Sequence, residues 1–296
     1  MLKNYFKIAL RNLWKHKGYS FINIAGLAVG MACALFILLW VQDELSYDRF
    51  HANARTLFRV EQDQKGGQGK FHVNVTPYGM RDALKAEIPE IRDATRSART
   101  GTLLVRQGEK AFYENRVTAV DPSFLQMFTF PMIRGDAGTA LSGPGSIVLS
   151  EDLAKKYFGT ENAVGRTLNI NNQYPVTVSA VMKNAPANSI LQIDALISVE
   201  FLKNLGIDIG DWGRNQIITY VQLHEKSAVS AVNAKITRLV LDRTLASWRG
   251  DAENWKRIQA DPEKLKQYKS YVGPDFTVMP VVDINLYGHF GFDPNN

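Results

Sequence analysis

The longest run of apolar residues lies near the N-terminus and predicts a helix that crosses a membrane. Residues 21–41 read FINIAGLAVGMACALFILLWV and contain no charged side chain. At a rise of about 1.5 Å per residue, this run spans the roughly 30 Å hydrocarbon core of a bilayer. A cleaved signal peptide has a shorter apolar region that ends at small residues, whereas Gln42 and Asp43 follow here. We therefore assign residues 19–45 to a retained transmembrane helix.

The residues before this run carry an amphipathic pattern with helical spacing. Leu2, Phe6 and Leu10 recur at intervals of four, so they share one side of a helix. A basic stripe repeats at the same interval and comprises Lys3, Lys7, Arg11 and Lys15. A helix of this kind lies in the membrane interface, with its cations among lipid phosphates. Residues 1–18 are thus predicted to form an interfacial helix on membrane lipids; a segment that only orients the following span is the alternative.

Charge on the two flanks predicts the orientation of the span. Lysine and arginine crowd its N-terminal side, while Asp43, Glu44 and Asp48 open the other side. Positively charged flanks stay in the cytoplasm. The N-terminus is therefore expected in the cytoplasm, and the residues after about 42 on the opposite side of the membrane.

Small residues repeat along one face of the span. Gly26, Gly30 and Ala34 are four residues apart, and small side chains let a second helix approach closely within a bilayer. This face is predicted to pack against another membrane helix. Small residues are also common in membrane helices that have no such contact, so both interpretations stay open here.

Alternating apolar and polar positions predict a strand-rich domain after the span. Residues 57–64 and 70–76 alternate as strands across a Gly-rich turn, which indicates a hairpin. Thr76 is then expected to cap a helix that has Pro77 at its first position and ends before Pro89. Strands near 94–106 and 112–120 and a short helix at 122–128 follow, and a Gly-rich loop at 134–145 marks a domain boundary.

A second unit begins after that boundary. Residues 146–149 are predicted to form a strand, Ser150 to cap a helix and Gly159 to end it. The remaining predictions are strands at 167–170, 175–182 and 217–223, a long helix at 227–245, and strands at 276–280 and 283–286. The fold class is therefore α+β: an antiparallel α/β sandwich with a smaller α/β unit inserted between its halves.

The net charge of +6 changes little in this interpretation. Residues 1–18 hold five of the 35 basic residues and no acid, which leaves 30 basic and 29 acidic residues beyond the span. A nearly neutral domain has no electrostatic footprint for DNA or RNA, so no nucleic-acid partner is expected. The only cysteine, Cys33, lies within the span, so the domain outside it can form no disulfide.

Motifs for catalysis or metal binding are missing from the sequence. The glycines at 66–69 lack the spacing and hydroxyl residue of a phosphate-binding loop. The five histidines lack the spacing of a zinc site, and no G-x-S-x-G motif occurs. We expect no enzyme activity, no cofactor, no metal site and no catalytic residue in this chain.

Several ordered segments resemble the MacB-like, FtsX-type permeases of ABC transporters, in particular the paired-repeat form of Bacteroidota. The resemblance spans nearly the whole chain. It rests on these segments: RNLWKHKGYSFINIAGLAVGMA, LSYDRFHANARTLFRV, VDPSFLQMFTFPMIRGDAGTAL, SIVLSEDLAKKYFGTENAVGRTLNI, VTVSAVMKNAPANSILQIDAL, TYVQLHEKSAVSAVNAKI and MPVVDINLYGHF.

The resemblance implies a periplasmic domain made of two subdomains. A porter-like subdomain would comprise residues 46–140 and 215–296, and a small Sabre-like subdomain residues 141–214. In such permeases of the bacterial inner membrane, a separate cytoplasmic ATPase drives movement of the periplasmic domain through the membrane helices. Further membrane helices follow that domain in the family, so the chain is expected to be an N-terminal fragment.

The partners that the resemblance implies are a cytoplasmic ABC ATPase subunit and a second permease half or protomer, with periplasmic adaptor and outer-membrane proteins as further partners. The expected role is export or extraction of antimicrobial compounds, peptides or lipoproteins, among which no residue discriminates. The alternative is a single-pass extracytoplasmic sensor or binding module, although residues 1–18 leave no room for a signalling domain.

Overall fold

A computed structural model describes residues 2–66, 69–249, 256–257, 260–263 and 275–288. The chain divides into two compact units, Met1–Ser46 and Tyr47–Asn296. We call them the helical unit and the sheet unit. The division falls between Ser46 and Tyr47, and the predicted division of the chain into domains stays a prediction.

The helical unit consists of α1 (Leu2–Lys15) and α2 (Lys17–Ser46). By length and composition, α2 is the one helix among the described residues that could cross a membrane. None of its residues is buried. The structure thus confirms one long apolar helix near the N-terminus, and this helix extends past both ends of the apolar run.

The sheet unit contains fourteen strands in the described part of the chain. They are β1 (Leu57–Gly66), β2 (Gly69–Val73), β3 (Thr76–Pro77), β4 (Ile91–Arg99), β5 (Leu103–Gln107), β6 (Lys110–Glu114), β7 (Val117–Val120), β8 (Met132–Arg134), β9 (Ser146–Ser150), β10 (Thr167–Ile170), β11 (Tyr174–Met182), β12 (Ala195–Ser198), β13 (Asn215–Leu223) and β14 (Asp275–Pro280). The helices are α3 (Met80–Glu87), α4 (Phe124–Met127), α5 (Glu151–Phe158), α6 (Val229–Arg249) and α7 (Ile284–Tyr287), with 3-10 helices at Val199–Leu205 and Val281–Asp283.

The strands form one continuous mixed sheet. Its order is β14, β1, β13, β4, β7, β12, β9, β11, β10, β5, β6, with β2 on β1, β3 on β13 and β8 on β11. Two neighbouring pairs, β7 with β12 and β9 with β11, are parallel, and the other pairs are antiparallel. The sheet therefore runs without a break from the first strand into the segment that the sequence marked as an insertion.

Three apolar clusters stabilise the sheet unit. One surrounds α5 and contains Tyr157 and Phe201. A second surrounds α4 and contains Phe124 and Phe128. The third lies between α3, α6 and the sheet, where Ile236 is fully buried. Each helix is amphipathic and buries its apolar side against a strand surface, which is the general reason for a layered α+β domain.

Local capping predictions hold at α5. The Ser150 hydroxyl accepts a hydrogen bond from the Leu153 N–H at 3.2 Å, and Gly159 ends the helix with a φ of 72°. The hydroxyl satisfies one of the free N–H groups of the first turn, and glycine adopts a left-handed conformation without a steric penalty. The predicted hairpin of β1 and β2 is also confirmed.

The predicted start of α3 is wrong. Thr76 and Pro77 form β3 instead, and the Thr76 hydroxyl contacts the Thr219 hydroxyl at 2.7 Å rather than a helix N–H. The helix begins three residues later, after Gly79, where a Cβ would overlap the Trp212 indole. Pairing with the neighbouring strand therefore prevails over a local capping preference.

Two further strand predictions are wrong in detail. The two strands expected at 94–106 and 112–120 are four: the first is interrupted at Gly101, which turns the chain with a φ of 70°, and the second at residues 115–116, between β6 and β7. The strand expected at 283–286 is helical, since Val281 and Ile284 are both buried at a spacing of three residues. The distal turn of the first hairpin and much of the segment between α6 and β14 lie outside the described residues.

The β5–β6 hairpin pairs with β10, which belongs to the inserted segment. The sequence placed this hairpin in the porter-like subdomain. The hydrogen-bonded register thus joins residues from both predicted subdomains along one sheet. The boundaries at 140/141 and 214/215 remain a prediction.

Candidate functional site

The segment that follows α2 is held in the sheet unit by polar contacts, of which the one between Asp48 and Ser189 is buried. We call residues 47–53 the joint. The joint forms turns rather than a strand or helix, and Asp48 has a positive φ of 55°. Aspartate is one of the few residues besides glycine that adopt this conformation readily. The joint is the only covalent connection from α2 to the sheet unit, because the chain runs through it.

Asp48 is fully buried and its carboxylate is satisfied by a distant loop. The Ser189 hydroxyl donates to Oδ1 at 2.7 Å, and the Ile190 N–H donates to Oδ2 at 3.2 Å. The Asp48 N–H in turn donates to the Asn188 carbonyl at 3.0 Å. Hydrogen bonds to a charged group contribute about 1.5–3 kcal/mol each. These contacts hold the joint against residues 188–190, about 140 positions along the chain.

His51 holds the joint against a second distant segment. Its side chain is buried, and Nδ1 accepts a hydrogen bond from the Thr129 N–H at 3.0 Å. A neutral imidazole that accepts at Nδ1 carries its proton at Nε2. That nitrogen lies 3.6 Å from Oδ1 of Asp48. The ring also meets Phe128 edge to face at a centroid distance of 5.1 Å.

Three more hydrogen bonds, from two residues, extend this second connection. The Ala52 N–H donates to the Thr129 hydroxyl at 2.8 Å. The Asn53 side-chain amide donates to the Gln126 and Met127 carbonyls at 3.2 and 2.9 Å. These carbonyls lie at the C-terminal end of α4, where helix carbonyls need an outside partner. A displacement of the chain at the joint would therefore act directly on α4 and on residues 188–190.

The joint residues were not singled out in the sequence, although the segments that contain them were. Asp48 and His51 lie in LSYDRFHANARTLFRV, Thr129 in VDPSFLQMFTFPMIRGDAGTAL and Ser189 in VTVSAVMKNAPANSILQIDAL. Only the fold brings these three segments together. The one indication in the sequence was a cluster of polar residues directly after the span. The sequence alone does not identify the residues that this cluster contacts.

The residues predicted for membrane packing are exposed in the helical unit. A Cβ at Gly26 or Gly30 would meet no atom within 4 Å, and Ala34 is exposed as well. Among the described residues, no helix covers this face. Its packing role stays a prediction, because the contact would come from a separate helix.

The basic stripe follows α1 as expected from its spacing. Lys7, Arg11 and Lys15 are exposed, and the side chain of Lys3 lies outside the described residues. Next to the stripe, the Lys17 ammonium lies 5.1 Å from the centroid of the Trp14 ring. Tryptophan beside cations is typical of the membrane interface. Contact of the stripe with lipid stays a prediction.

A buried ion pair forms the other prominent polar cluster of the sheet unit. Arg96 donates from Nη2 to Oδ1 of Asp121 at 2.6 Å and from Nε to Oδ2 at 3.0 Å. Burial lowers the pKa of Arg96, but the Asp121 carboxylate outweighs burial and raises it overall. Nη1 of Arg96 also donates to the Ile209 carbonyl at 2.9 Å. This cluster fixes strand and loop positions, and no chemistry follows from its geometry.

Among the described residues, no group of three or more histidine, cysteine, aspartate or glutamate side chains is arranged to hold a metal ion. Burial raises the pKa of the Tyr157 hydroxyl, and its hydrogen bond to Glu114 raises that pKa further. Burial also raises the pKa of the Asp194 carboxyl. Tyr157 donates to the Glu114 carboxylate at 2.6 Å. Its hydroxyl therefore serves as a structural donor at neutral pH.

Comparison with known proteins identifies the fold and the family. Among solved structures, a domain described as that of a permease protein from Porphyromonas gingivalis is 22% identical, with a TM-score of 0.58 over 78% of this chain and 92% of that one. The periplasmic region of MacB from Actinobacillus actinomycetemcomitans is 15% identical, with a TM-score of 0.50 over 77% and 90%. At these identities, the likeness concerns the fold alone.

No curated protein sequence matches the chain. The sequence profile described as the MacB-like periplasmic core domain matches residues 20–239, which is most of the 296 residues. The matched range begins within α2, contains the joint and ends within α6. The chain therefore belongs to the family of proteins with a MacB-like periplasmic core domain, a domain of ABC-transporter permeases.

Proposed function

We propose that this chain is the membrane subunit of a MacB/FtsX-type ABC transporter and that it transmits movement rather than substrate. A partner ATPase in the cytoplasm hydrolyses ATP, the membrane helices shift, and the joint passes that shift to the sheet unit. The sheet unit thereby exports or extracts an antimicrobial compound, a peptide or a lipoprotein. The chain lies in the bacterial inner membrane with its N-terminus in the cytoplasm and its sheet unit in the periplasm.

One observation supports this proposal above the others. The first seven residues after α2 make hydrogen bonds with two segments far along the chain, at 126–129 and 188–190, and the bond between Asp48 and Ser189 is buried. A passive tether needs no such contacts, because a flexible linker would anchor a domain equally well. A connection that transmits force must be rigid on the side that receives it.

The joint can be tested by changing Asp48 with minimal disturbance. Asp48→Asn keeps the volume and the tolerance for positive φ, yet it removes the charge that Ser189 and Ile190 contact. The complex with the partner ATPase, reconstituted in nanodiscs, is expected to keep hydrolysing ATP. The ATP-dependent change in hydrogen exchange of the sheet unit should fall several-fold. Asp242→Asn, at an exposed position on α6, is the matched control.

An unchanged ATP response in Asp48→Asn and in Ser189→Ala would contradict the joint's role. Loss of both the response and the folded sheet unit would be uninformative, so the unfolding midpoint is measured in parallel. Affinity purification of the tagged chain from native membranes tests the partner itself. An ATPase is expected to co-purify, whereas its absence would favour the membrane-anchored binding module.

The small-residue face offers a second test of the same proposal. Gly26→Leu with Gly30→Leu fills space that another helix would occupy, although nothing in the described chain opposes the change. The sheet unit should keep its stability, while association with the second permease half or protomer and the ATP response of the sheet unit should both fall. If both are intact, the packing role of this face is wrong.

A labelling experiment tests the topology. In a Cys33→Ser background, Ala228→Cys places a thiol at an exposed position of the sheet unit and Asn4→Cys one on α1. A membrane-impermeant maleimide added to cells with a permeabilised outer membrane should label the first and not the second. The reverse result would overturn the proposed orientation. Further partners, namely a periplasmic adaptor and outer-membrane proteins, can be sought in the same purification.

A further inference from the structure

A small cleft lies between the central sheet and the loop at residues 190–193. It has a volume of about 180 Å³. Its floor is one face of β13, β4 and β7, because Ile218 pairs with Ser97 and Arg99 pairs with Thr118 across the sheet. Residues that are paired in this way point to the same face, as do residues two apart on one strand. We call it the loop cleft, and it lies wholly within the sheet unit.

The polar side chains at the floor of the loop cleft have no partners within the described part of the chain. Ser97 and Thr118 are buried, with 8% and 6% of their surface exposed, and neither hydroxyl makes a hydrogen bond there. The exposed guanidinium of Arg99 likewise has no ion pair or hydrogen bond among the described residues. A buried hydroxyl without a partner costs free energy. Water or a ligand from outside the chain must therefore satisfy these groups.

We propose that the loop cleft binds the C-terminal residue of a peptide, with its carboxylate on Arg99, Ser97 and Thr118 and an aliphatic side chain against residues 190–193. Arginine offers parallel N–H donors that match both oxygens of a carboxylate, and the hydroxyls supply two more donors. None of the described residues that line the cleft is acidic, so no lining carboxylate repels this anion. The identification of the peptide as cargo rests on the proposed export function, whereas the site itself does not.

The apolar part of the lining indicates an apolar residue rather than a free anion. Leu191, Ile193 and Ile218 line the cleft and are at most 8% exposed. Ligand sites commonly combine apolar walls with a few convergent polar groups. A dry cavity of about 150 Å³ holds benzene, so the loop cleft has room for one aliphatic side chain and its carboxylate. The remainder of a peptide would lie outside, past the exposed side chains of Arg99 and Gln216.

The joint holds the loop that forms the wall of this cleft. Asp48 accepts hydrogen bonds from the Ser189 hydroxyl and the Ile190 N–H, and the same hydroxyl accepts one from the Leu191 N–H at 3.1 Å. The Gln192 side-chain amide donates to the Ser189 carbonyl at 2.8 Å. A movement at the joint would therefore shift the loop against the sheet and change the cleft. If the joint thereby alters the affinity for a peptide, a bound peptide alters the equilibrium of the joint by the same factor.

The experiment measures peptide binding to the full chain in phosphatidylcholine nanodiscs by ligand-observed NMR. The probes are acetyl-Ala-Ala-Leu with a free carboxylate, the same peptide with a C-terminal amide, and acetyl-Ala-Ala-Gly with a free carboxylate. The leucine acid is expected to bind about tenfold more tightly than its amide, because hydrogen bonds to an ionised group are stronger. It should also bind about tenfold more tightly than the glycine acid, since the leucine side chain is buried in the cleft.

Two variants and a matched control test the residues of the site. Arg99→Gln should weaken binding of the leucine acid by about tenfold and leave binding of the amide nearly unchanged. Thr118→Val keeps the shape of the side chain and removes a hydroxyl that has no partner in the chain. The unfolding midpoint should therefore hold, while the affinity for the leucine acid falls severalfold. Arg92→Gln removes an exposed arginine at the other end of β4, away from the cleft, and should change neither affinity.

Four results would contradict the proposal. Equal binding of acid and amide, or the same loss in Arg92→Gln as in Arg99→Gln, would overturn the carboxylate contact. Equal binding of the leucine and glycine acids would overturn the assignment of an aliphatic side chain. Tighter binding of inorganic phosphate than of the leucine acid would show a simple anion site. Absence of binding by all three peptides would remove the site altogether.

This measurement contains no ATPase and requires no movement, so it is independent of the proposed function. Peptide binding without an ATP-dependent response of the sheet unit would refute the transmission of movement and support the site. An ATP-dependent response without peptide binding would do the reverse. Asp48→Asn connects the two, because it should change the affinity for the leucine acid by about fivefold through the loop. An unchanged affinity would overturn the link between the joint and the cleft.

Discussion

The helical unit and the sheet unit use the same apolar residues in opposite ways. Phe36 of α2 is 72% exposed, whereas Phe124 of α4 is fully buried. The sheet unit encloses its apolar side chains, and the helical unit presents them on every side. The difference teaches that each unit is stable in a different solvent. Its own core stabilises the sheet unit, while α2 needs lipid or other helices around it.

The largest expected effect tests this difference directly. Phe124→Ala should lower the free energy of unfolding of the sheet unit by about 3–5 kcal/mol, because it leaves a cavity in a closed core. Leu35→Ala, at a position of α2 that is 60% exposed, should leave that free energy unchanged. Denaturant titration of both variants in nanodiscs measures the two values. Equal losses would mean that the two units do not differ in this way.

A second prediction concerns the buried charge pair of Arg96 and Asp121 in the sheet unit. Asp121→Ala should cost about 3 kcal/mol, since it leaves the Arg96 guanidinium buried without its partner. Adding Arg96→Met should recover part of the loss. Full recovery is not expected, because Asp121 also accepts the Arg96 backbone N–H at 2.7 Å. Lys7→Gln on the exposed stripe is the control and should be neutral.

A double variant as unstable as the sum of the two single variants would contradict the pairing. The same denaturant titration provides this value. The double-mutant cycle also shows how much of the stability near α4 depends on charge rather than on the apolar cluster around Phe124.

A smaller effect is expected at the start of α5. Ser150→Ala removes the hydroxyl that caps the helix and should cost about 1 kcal/mol. Ser150→Thr keeps a capping oxygen and should restore most of the loss. Ser20→Ala lies inside α2, where no helix terminus needs a cap, and should have no effect on the sheet unit. Thermal unfolding monitored by circular dichroism is sufficient to measure these differences. If Ser150→Ala leaves the stability unchanged, packing alone holds α5.

The smallest effect is a pH dependence at the first hairpin. His72 contacts Asp63 through Nδ1 at 2.6 Å and Glu61 through Nε2 at 2.8 Å. Burial lowers the pKa of His72, but the two carboxylates together raise it above its model-peptide value of 6.5. This contribution to stability is therefore complete below pH 6.5 and is lost as the pH rises through the raised pKa.

His72→Gln should remove this dependence, with a difference below about 1 kcal/mol because the pair is partly exposed. His16→Gln, on an exposed residue of the helical unit, serves as the control and should leave the pH profile unchanged. Unfolding measured between pH 5 and pH 9 tests the sign. Stability that increases with pH in the unmodified chain and not in His72→Gln would contradict it.

The parts of the fold that the sequence predicted well are those decided by neighbouring residues. The span, the cap at Ser150 and the turn at Gly159 depend on side chains within a few positions. Thr76 and residues 283–286 were predicted wrongly because pairing with β13 and packing against a distant cluster decide their conformation. Local preference is a weak guide wherever tertiary contacts compete with it.

The candidate site could not be predicted for the same reason. Asp48, Thr129 and Ser189 lie in three segments that each look unremarkable for binding. Their meeting requires the completed order of the sheet, in which β7, β12 and β9 are neighbours. The spacing of the stripe and of the small-residue face follows from the sequence, since a single helix sets it, and the lipid contact and helix packing assigned to them stay predictions.

The contacts of Asp48 also determine the order in which parts of the chain fold. Ser189 is synthesised about 140 residues after Asp48, and β1 pairs with β13 and β14, which come later still. Long-range pairing of this kind is slow, because a large loop must close, at a cost in entropy, before the contacts between the strands stabilise the chain. The helix α2 can enter the bilayer while the joint is still unstructured. Attachment to the sheet unit is thus a late event, and a chain interrupted before residue 190 would reach the membrane with its joint open.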